Sequence, residues 1–285
     1  MVEIRNKYSE DAQIVLYQGH CLDLLRQIPD GAAKLVVTSP PYNIGKPYED
    51  ILPLQEYLAQ QEKVIAECTR VLHPNGSLCW QVGYYSEKGE IFPLDIVLYS
   101  FFKKHGLKLK NRIIWHFRGG QHAFKKFSPR YETIMWFIKG NNYTFDVDPV
   151  RVPRRHPRSK RLKSGPRKGE LCGSPLGKNP GDVWLIHKVG HGHPEKTTHP
   201  CQYPIALIEC LILALTNKGD LVVDPFIGSG TTAVASLIHG RRCAGSDKKE
   251  DYIEIAKNGV LEAANGTLKY LPLSRFTSTE AREAA

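Results

Sequence analysis

The chain lacks the marks of a secreted or membrane-embedded protein. No apolar run reaches the roughly 20 residues that a membrane-spanning helix needs. The first residues, Met-Val-Glu-Ile-Arg-Asn-Lys, are charged and contain no apolar segment of the kind that a signal peptide carries. The seven cysteines are odd in number and show no C-x-x-C spacing. We therefore expect reduced, mostly buried thiols in a cytoplasmic protein without a membrane partner.

A recognisable metal-binding pattern is also missing. Four histidines and a cysteine do fall within 15 residues of one another, but their spacing matches no common zinc motif. These residues are His187, His191, His193, His199 and Cys201. We interpret them as part of a loop and predict no metal site.

Acidic residues are few relative to basic ones, with 29 Asp or Glu against 39 Lys or Arg and a net charge of +10. This balance favours a polyanionic partner, of which nucleic acid is one candidate. Residues 151–168 hold nine Lys or Arg and no acid, and their prolines and glycines argue against a regular helix. We interpret this segment as a solvated loop that becomes ordered on a nucleic acid.

The order of apolar patterns predicts the fold class. The 285 residues suffice for one large domain, or for a domain with an insertion. Residues 54–71 show helical spacing, residues 73–76 read as a turn, and residues 77–82 as a strand. Such strands and helices alternate along most of the chain, which predicts an α/β protein with a mostly parallel sheet covered by helices on both faces. We divide the chain into residues 1–140, an irregular insertion at 141–180, and residues 181–285.

Residues 35–43 carry the first candidate site. A buried strand runs into Ser39-Pro40-Pro41-Tyr42, where two prolines stop the strand and fix the turn. A hydroxyl, a backbone carbonyl and an aromatic ring are thereby presented together. This set suits a planar ring that bears an amino group, because the ring can stack on Tyr42 while its NH2 donates to the Ser39 oxygen and the Pro40 carbonyl. The plain alternative is a strand followed by a rigid loop.

Residues 221–233 carry the second candidate site. A short apolar strand ends at Asp224, and Gly228 and Gly230 follow in a turn that opens a helix. The glycines allow the backbone to approach a ligand closely, and the helix N-terminus offers N–H groups. A further strand ends at Asp247, 23 residues after Asp224, and an acid at that spacing suits a ribose diol. The two strand ends together predict a nucleoside site.

A dinucleotide is the competing ligand, since Gly228-x-Gly230-x-x-Ala233 matches the oxidoreductase fingerprint. The negative charge of Asp224 would repel a pyrophosphate, whereas it suits a ligand with an ammonium group. The residues after this motif are also too few for a second mononucleotide half. We therefore favour a single nucleoside with a cationic group.

These motifs resemble those of the β-group DNA amino-methyltransferases. Thr38-Ser-Pro-Pro-Tyr42 resembles the catalytic motif, and residues 224–232 resemble the S-adenosyl-L-methionine motif, in the β-group order. Residues 196–204 resemble the element before the cofactor strand, and residues 111–115 with 130–139 resemble a strand pair after the catalytic half. The resemblance covers most of residues 14–140 and 181–257. It implies a Rossmann-like methyltransferase fold with a catalytic half, an inserted target-recognition region at 141–180, and a cofactor-binding half.

The resemblance also assigns residues. The catalytic residues would be Ser39, Pro40, Pro41 and Tyr42. The S-adenosyl-L-methionine site would comprise Asp224, Pro225, Phe226, Gly228, Ser229, Gly230, Thr231, Thr232, Asp247, Thr198 and His199, with Asp224 near the methionine end and Asp247 near the ribose. The DNA contacts are predicted from the residues themselves: segment 117–127 interleaves aromatic and basic residues, which favours DNA over a simple ordered loop, and segment 151–168 is strongly basic. The predicted contacts are Arg118, Lys125, Lys126, Arg151, Arg154, Arg155, Arg158, Lys160, Arg161 and Lys163. His20 stands where the family commonly has an acid that helps to hold the adenine, and we assign it no role.

The activity implied is methyl transfer to the exocyclic amine of a base flipped out of double-stranded DNA. Ser39 at the first motif position resembles the cytosine-N4 members, while Asp is usual among adenine-N6 members, so we expect cytosine N4 with adenine N6 as the alternative. An RNA substrate and an inactive nucleic-acid-binding protein with a degenerate core are further alternatives. By resemblance we also expect a homodimer, a companion restriction endonuclease, and a bacterial, archaeal or phage-type host cytoplasm.

Overall fold

The computed structural model describes residues 2–120, 122–154, 156 and 159–277. Eleven strands form within these residues: β1 (Ile4–Arg5), β2 (Ile14–Gln18), β3 (Ala33–Thr38), β4 (Leu72–Val82), β5 (Tyr84–Glu87), β6 (Glu90–Pro93), β7 (Lys108–His116), β8 (Tyr131–Ile138), β9 (Val183–Leu185), β10 (Leu221–Asp224) and β11 (Arg242–Asp247). The helices are α1 (Cys21–Gln27), α2 (Leu54–Val71), α3 (Leu94–Lys104), α4 (Ile205–Leu215), α5 (Thr231–Ile238), α6 (Glu250–Ala264) and α7 (Ser274–Thr277), with a 3-10 turn at Asp148–Val150.

One sheet organises the molecule, in the strand order β1-β2-β11-β10-β3-β4-β8-β7-β9. The six neighbouring strands β1, β2, β11, β10, β3 and β4 pair in parallel. Strand β8 is antiparallel to both β4 and β7. β9 pairs in parallel with β7. The expected α/β fold with a mostly parallel sheet is confirmed. The carboxyl ends of β2, β11, β10, β3 and β4 consequently share one edge of the sheet, which we call the carboxyl edge.

Helices cover both faces of the sheet. Helices α4, α5 and α6 pack on one face, and α1, α2 and α3 pack on the other. The sequence of α4, IALIECLILAL, is apolar all round, and the helix is accordingly buried. Helix α2 instead has an apolar stripe and an exposed polar side, since it buries Leu58, Ile65 and Cys68 while Glu56 stays exposed.

Some local features differ from the expectation. We predicted a turn at residues 73–76 and a strand from residue 77, but β4 begins at Leu72. Its register with β3 jumps, because Ala33 pairs with Leu72 and Leu35 with Ser77, so four residues of β4 lie opposite one residue of β3. The predicted turn is therefore a bulge inside a longer strand. The short strands β1 and β9 and the β5–β6 hairpin were not predicted, since their periodic patterns are too short to stand out.

The insertion starts from the side of the sheet opposite the carboxyl edge. β8 runs antiparallel to β4 and ends there at Ile138, whereas β9 begins at Val183, which pairs with Ile114 near the carboxyl end of β7. The insertion therefore returns to the sheet at the carboxyl edge. Between β8 and β9 lie the 3-10 turn and two isolated bridges, Val152 with Lys178 and Arg161 with Leu171. The described residues between β7 and β8, 117–120 and 122–130, also lie at the carboxyl edge. Among the described residues, no helix is long and apolar enough to cross a membrane.

Candidate active site

The predicted catalytic turn leaves the sheet at the carboxyl edge, immediately after β3. Thr38 and Pro40 are buried, while Ser39, Pro41 and Tyr42 are half-buried. The hydroxyl oxygens of Ser39 and Tyr42 lie 3.0 Å apart. Tyr57 on α2 donates its hydroxyl to the Pro41 carbonyl at 2.9 Å and so fixes the turn from the other side. The structure therefore brings the predicted hydroxyl, prolines and ring together in one rigid turn.

Two residues that were not predicted as site residues complete this turn. The Tyr42 hydroxyl lies 3.0 Å from Glu132 Oε2 and 3.1 Å from Gln81 Nε2, and the Gln81 amide also contacts the Glu132 carboxylate. Burial raises the pKa of Glu132, and burial together with the adjacent Glu132 charge raises that of Tyr42. Both polar residues lie on strands that flank one another, Gln81 in β4 and Glu132 in β8.

Asp224, at the end of β10, is a buried hydrogen-bond acceptor. Its side chain is 0% exposed. It accepts hydrogen bonds from Thr38 Oγ1 at 2.6 Å, Thr232 Oγ1 at 2.6 Å, the Tyr203 hydroxyl at 2.7 Å and the Phe226 amide at 3.1 Å. Burial raises the pKa of Asp224, and these hydrogen bonds lower it by a smaller amount. The carboxylate thereby joins the catalytic strand to the glycine-rich loop, and its place near the methionine end of the cofactor stays a prediction.

The glycine-rich loop follows directly. Gly228 has φ 48° and Gly230 has φ 83°, which is the left-handed region that favours glycine. A Cβ on Gly230 would lie 2.5 Å from Ala256, so the absence of a side chain lets α5 pack closely on α6. A Cβ on Gly228 would lie 3.1 Å from His199 Nε2. The loop thus passes close beneath the buried His199 ring.

His199 belongs to an aromatic stack beside this loop. Its ring stacks on Tyr48 at 5.8 Å and meets Tyr252 edge-on at 4.3 Å. The Cys201 amide donates to His199 Nδ1 at 3.2 Å, and burial lowers the pKa of His199 to about 4. His199 is therefore neutral at pH 7. Thr198, also predicted to bind the cofactor, is exposed beside it.

The other predicted cofactor residues gather at the same edge. Asp247 ends β11, is half-buried, accepts the Lys249 amide at 2.9 Å, and has its pKa raised by burial. The Pro225 carbonyl accepts the Ser246 hydroxyl at 2.9 Å. Phe226 and Ser229 are half-buried, whereas Thr231 and Thr232 are buried in the first turn of α5. All eleven predicted residues therefore surround the ends of β10 and β11, although Asp224 and Thr232 serve the interior.

Comparison with known proteins agrees with this geometry. A family model described as DNA methylase, of the N6 and N4 type, matches residues 33–258. The chain belongs to this family. It is 48% identical over 242 residues to the type II methyltransferase M.BglII of Bacillus subtilis, covering 85% of this chain and 67% of that protein. It is 38% identical to M.ScaI of Streptomyces caespitosus, covering 90% and 84%.

Solved structures support the same assignment. The PvuII cytosine-N4-specific DNA methyltransferase has the same fold, with a TM-score of 0.68 at 21% identity over 90% of this chain and 94% of that one. A DNA modification methylase of Thermus thermophilus, determined in complex with S-adenosyl-L-methionine, gives a TM-score of 0.62 at 26% identity over 88% and 94%. This member of the N4/N6 DNA methyltransferases uses S-adenosyl-L-methionine as its cofactor.

The residues present fit that cofactor. Asp247 offers a half-buried carboxylate at a strand tip, where a ribose diol can donate to it. The left-handed Gly228 and Gly230 carry no side chains that would keep a ligand from the backbone beside the half-buried Phe226. The neutral His199 adds no positive charge next to a cationic sulfonium compound. His20, at the position of the usual acid, caps α1 by accepting the Leu22 amide on Nδ1 at 3.2 Å, a task that an Asp could also perform.

The predicted DNA-contacting residues separate into two groups. Arg118, Lys125 and Lys126 are exposed at the carboxyl edge, in residues 117–130. Lys126 Nζ lies 5.0 Å from the centre of the Tyr84 ring, and the neighbouring Phe124 and Phe127 are 98% and 100% exposed. This group therefore stands beside the catalytic turn.

The second group lies in the insertion. Lys160, Arg161 and Lys163 are exposed, with Arg161 donating to the Gly169 carbonyl at 2.5 Å. Arg151 and Arg154 are half-buried and hold the insertion together, the first paired with Asp148 at 2.6 Å and the second donating to the Gly177 carbonyl at 3.3 Å. That use differs from the predicted phosphate contact. Arg155 and Arg158 lie outside the described residues.

A metal site was weighed because of the histidine cluster. In the part of the chain that the structure describes, no three His, Cys, Asp or Glu side chains are placed to hold a metal ion together. His187 instead packs edge-on against Phe276 at 6.0 Å, and His193 Nδ1 accepts the Glu195 amide at 3.3 Å.

Proposed function

We propose that this chain methylates N4 of cytosine in double-stranded DNA, at a base flipped out of the helix. The observation that carries the proposal is the Ser39–Tyr42 turn, which presents two hydroxyl groups and an aromatic ring beside the cofactor loop. The serine at the first motif position favours cytosine. The similarity in fold to a cytosine-N4-specific enzyme is consistent with this choice.

Adenine N6 is the second candidate. The chain is 32% identical to the DNA adenine methyltransferase YhdJ of Escherichia coli, covering 87% of this chain and 83% of that protein. Either exocyclic amine can donate two hydrogen bonds to the same pair of acceptors. The shape of the pocket around Tyr42 therefore decides which base is accepted.

The catalytic turn acts by positioning and by hydrogen bonding. A base inside a duplex cannot be reached, so it must leave the stack and lie against Tyr42. Its amine then donates to Ser39 Oγ and to the Pro40 carbonyl, which draws the nitrogen towards tetrahedral geometry and localises its lone pair. When bound, S-adenosyl-L-methionine supplies an electrophilic methyl group: the nitrogen lone pair forms the N–C bond, and the electron pair of the broken C–S bond goes to sulfur.

Asp247 would hold the cofactor at its ribose, and the loop of Phe226, Gly228 and Gly230 would hold it along its length. Asp224 keeps that loop against the catalytic strand through its hydrogen bond to Thr38. In this arrangement the glycine-rich loop and the catalytic turn are fixed relative to one another, as a reaction between two bound groups requires.

DNA approaches the carboxyl edge. Lys125 and Lys126 supply charge for phosphates, and the fully exposed rings of Phe124 and Phe127 offer stacking surfaces for bases next to the flipped nucleotide. The basic segment at 151–168 lies within the insertion, which returns to the sheet at the carboxyl edge through β9, and we assign its contacts to the duplex that flanks the flipped base. Recognition of sequence belongs to side chains of this insertion.

The relatives named type II methyltransferases suggest a place in a restriction–modification system. We include in the proposal a companion endonuclease whose site this chain protects, and a homodimer in solution. Resistance of modified plasmid to restriction in the native host tests the first, and sedimentation equilibrium with and without DNA tests the second.

The decisive experiment uses the whole chain, labelled S-adenosyl-L-methionine and unmethylated genomic DNA from several sources, followed by digestion to nucleosides and mass identification. N4-methylcytosine supports the proposal, and N6-methyladenine transfers it to the second candidate. The S39A variant is the control for contaminating activity. No label in any nucleoside, although calorimetry shows cofactor binding, favours an inactive nucleic-acid-binding protein.

A further inference from the structure

Glu132 sets the direction of the hydrogen bonds at the catalytic turn. Its Oε2 lies 3.0 Å from the Tyr42 hydroxyl, and as a carboxylate it can only accept. The Gln81 amide nitrogen, 3.1 Å from the same hydroxyl, can only donate. Tyr42 has one hydroxyl proton, and two other acceptors lie within reach of it: Ser39 Oγ at 3.0 Å and the Gln81 backbone carbonyl at 3.5 Å. A charged carboxylate is the strongest acceptor of the three, so the proton is assigned to Glu132.

The same polarity reaches Ser39. With its proton given to Glu132 and one lone pair taken by Gln81, the Tyr42 oxygen can only accept from Ser39 Oγ, 3.0 Å away. The Ser39 hydroxyl proton then points into the protein. The remaining lone pairs of Ser39 Oγ face the site, which is what an amine donor needs. A polarised chain of hydrogen bonds thus runs from the site through Ser39 and Tyr42 to Glu132.

The fold places Glu132 there by strand direction. β8 is antiparallel to β4, so it brings its first residues, including Glu132, to the carboxyl edge where the parallel strands end. Gly83 leaves room for the arrangement, since a Cβ there would lie 3.2 Å from the Tyr42 ring and 3.8 Å from Glu132 Cγ. The carboxylate is half-buried, so it stays within reach of solvent while it faces Tyr42.

Methylation of an amine leaves a proton to be removed. The nitrogen gives up its lone pair, becomes positively charged, and returns to neutrality only by losing one proton. That proton can pass to Ser39 Oγ as the serine proton passes to Tyr42 and the tyrosine proton passes to Glu132 Oε2. Each hydroxyl loses one proton and gains one, so Ser39 and Tyr42 end neutral and Glu132 ends as a carboxylic acid that later releases the proton to solvent.

We propose that Glu132 is the terminal proton acceptor of methyl transfer, acting through Tyr42 and Ser39. It touches neither base nor cofactor and is in that sense a positioning residue. The proposal rests on the function proposed above. It extends that function by assigning the proton of the reaction to a named side chain on a different strand from the catalytic motif.

The test is a pH profile of single-turnover methyl transfer, with wild type, E132Q and Y42F saturated with DNA and cofactor. Wild type should slow as pH falls through the pKa of Glu132, which burial places above that of an ordinary glutamate. E132Q keeps the shape and one acceptor oxygen but cannot take the proton. We expect its rate to fall about a hundredfold or more, and its acid limb to disappear.

Comparison of several variants distinguishes a proton acceptor from a residue with a purely structural role. Y42F keeps the ring but breaks the chain, so it should show the same slow, flat profile, and E132Q/Y42F should be no slower than either single variant. E90Q makes the same chemical change at an exposed glutamate in β6 and should behave as wild type. Infrared difference spectra of wild type and E132Q, recorded without substrate, should show one carboxyl that titrates above the ordinary glutamate range.

The outcomes are distinct. If wild type methylates no DNA, the proposed function fails, whatever Glu132 does. If wild type is active and E132Q keeps its rate, or is slow but keeps the acid limb, the proton-acceptor role is refuted. If E132Q does not fold, Y42F decides, because a retained acid limb there also refutes the proposal. Unchanged cofactor affinity in calorimetry accompanies a slow, flat E132Q profile if the proposal is correct.

Discussion

The glycine at the start of α5 offers a sharp test of how the cofactor loop is built. Gly230 has φ 83°, and a Cβ there would lie 2.5 Å from the Cα and Cβ of Ala256 on α6. Gly219 has nearly the same φ, 84°, but a Cβ there would meet nothing within 4 Å. The variants G230A and G219A therefore share the backbone strain and differ in the clash.

The expected magnitudes follow from these two terms. Placing alanine in the left-handed region costs about 1–2 kcal/mol of folding free energy at either site. Ordinary contact with Ala256 begins near 3.4 Å, so G230A must also push α6 away by roughly 1 Å, and overpacking of this kind costs about 1–3 kcal/mol more. We expect a loss of about 1–2 kcal/mol for G219A and about 2–5 kcal/mol for G230A.

Urea denaturation of both variants, followed by tryptophan fluorescence and far-ultraviolet circular dichroism, measures the difference. Calorimetric titration with S-adenosyl-L-methionine should in addition show weaker binding to G230A alone, because Gly219 precedes β10 and lies on the side of the sheet away from the site. Equal losses of stability in the two variants would show that α5 and α6 are not packed as closely as the structure has them.

Three more predictions concern the site and its surroundings. T232V removes one of the hydrogen bonds to the buried Asp224 carboxylate and should lower the free energy of unfolding by about 1.5–3 kcal/mol, as measured by urea denaturation. An unchanged free energy of unfolding would mean that Asp224 is not the acceptor of this hydrogen bond. His199 has a pKa of about 4 in the folded chain, against about 6.5 in the unfolded chain, so the unfolded chain binds more protons between these two values. The free energy of unfolding should therefore fall by about 3 kcal/mol in total as the pH drops from 6.5 to 4. H199Q should lose this dependence in thermal melts, and a parallel decline in both proteins would contradict the prediction. The double variant F124A/F127A should have the melting temperature of wild type, because both rings are exposed. In anisotropy titrations it should bind DNA more weakly, by about 1–3 kcal/mol per stacked base. Equal affinity would show that these rings do not contact DNA.

Local chemistry explains which parts of this molecule the sequence reveals. The turn after β3 and the loop after β10 are defined by prolines and glycines whose backbone effects depend on their immediate neighbours, so the motifs are legible in one dimension. Helix α2 matches its predicted bounds because its apolar stripe is long and regular. The fold class follows from the alternation of such segments.

Contacts between distant strands explain what the sequence conceals. Glu132 reaches Tyr42 only because β8 is inserted antiparallel beside β4, and no local pattern near residue 132 announces that order. Gln81 likewise reads as part of an ordinary buried strand. The three hydroxyl groups that donate to the buried Asp224 carboxylate come from other segments, so its structural role beside the predicted cofactor site cannot be read from residues 221–233 alone.

The position of Asp224 also explains how a chain with its catalytic motif first and its cofactor motif last makes one site. β10 pairs in parallel with β3, which places strand ends that are 186 residues apart in sequence side by side. Asp224 then accepts from Thr38, immediately before the catalytic turn, and from Thr232, inside the helix that follows the glycine loop. Because the two motifs are joined through one carboxylate, a shift of the loop is transmitted to the turn.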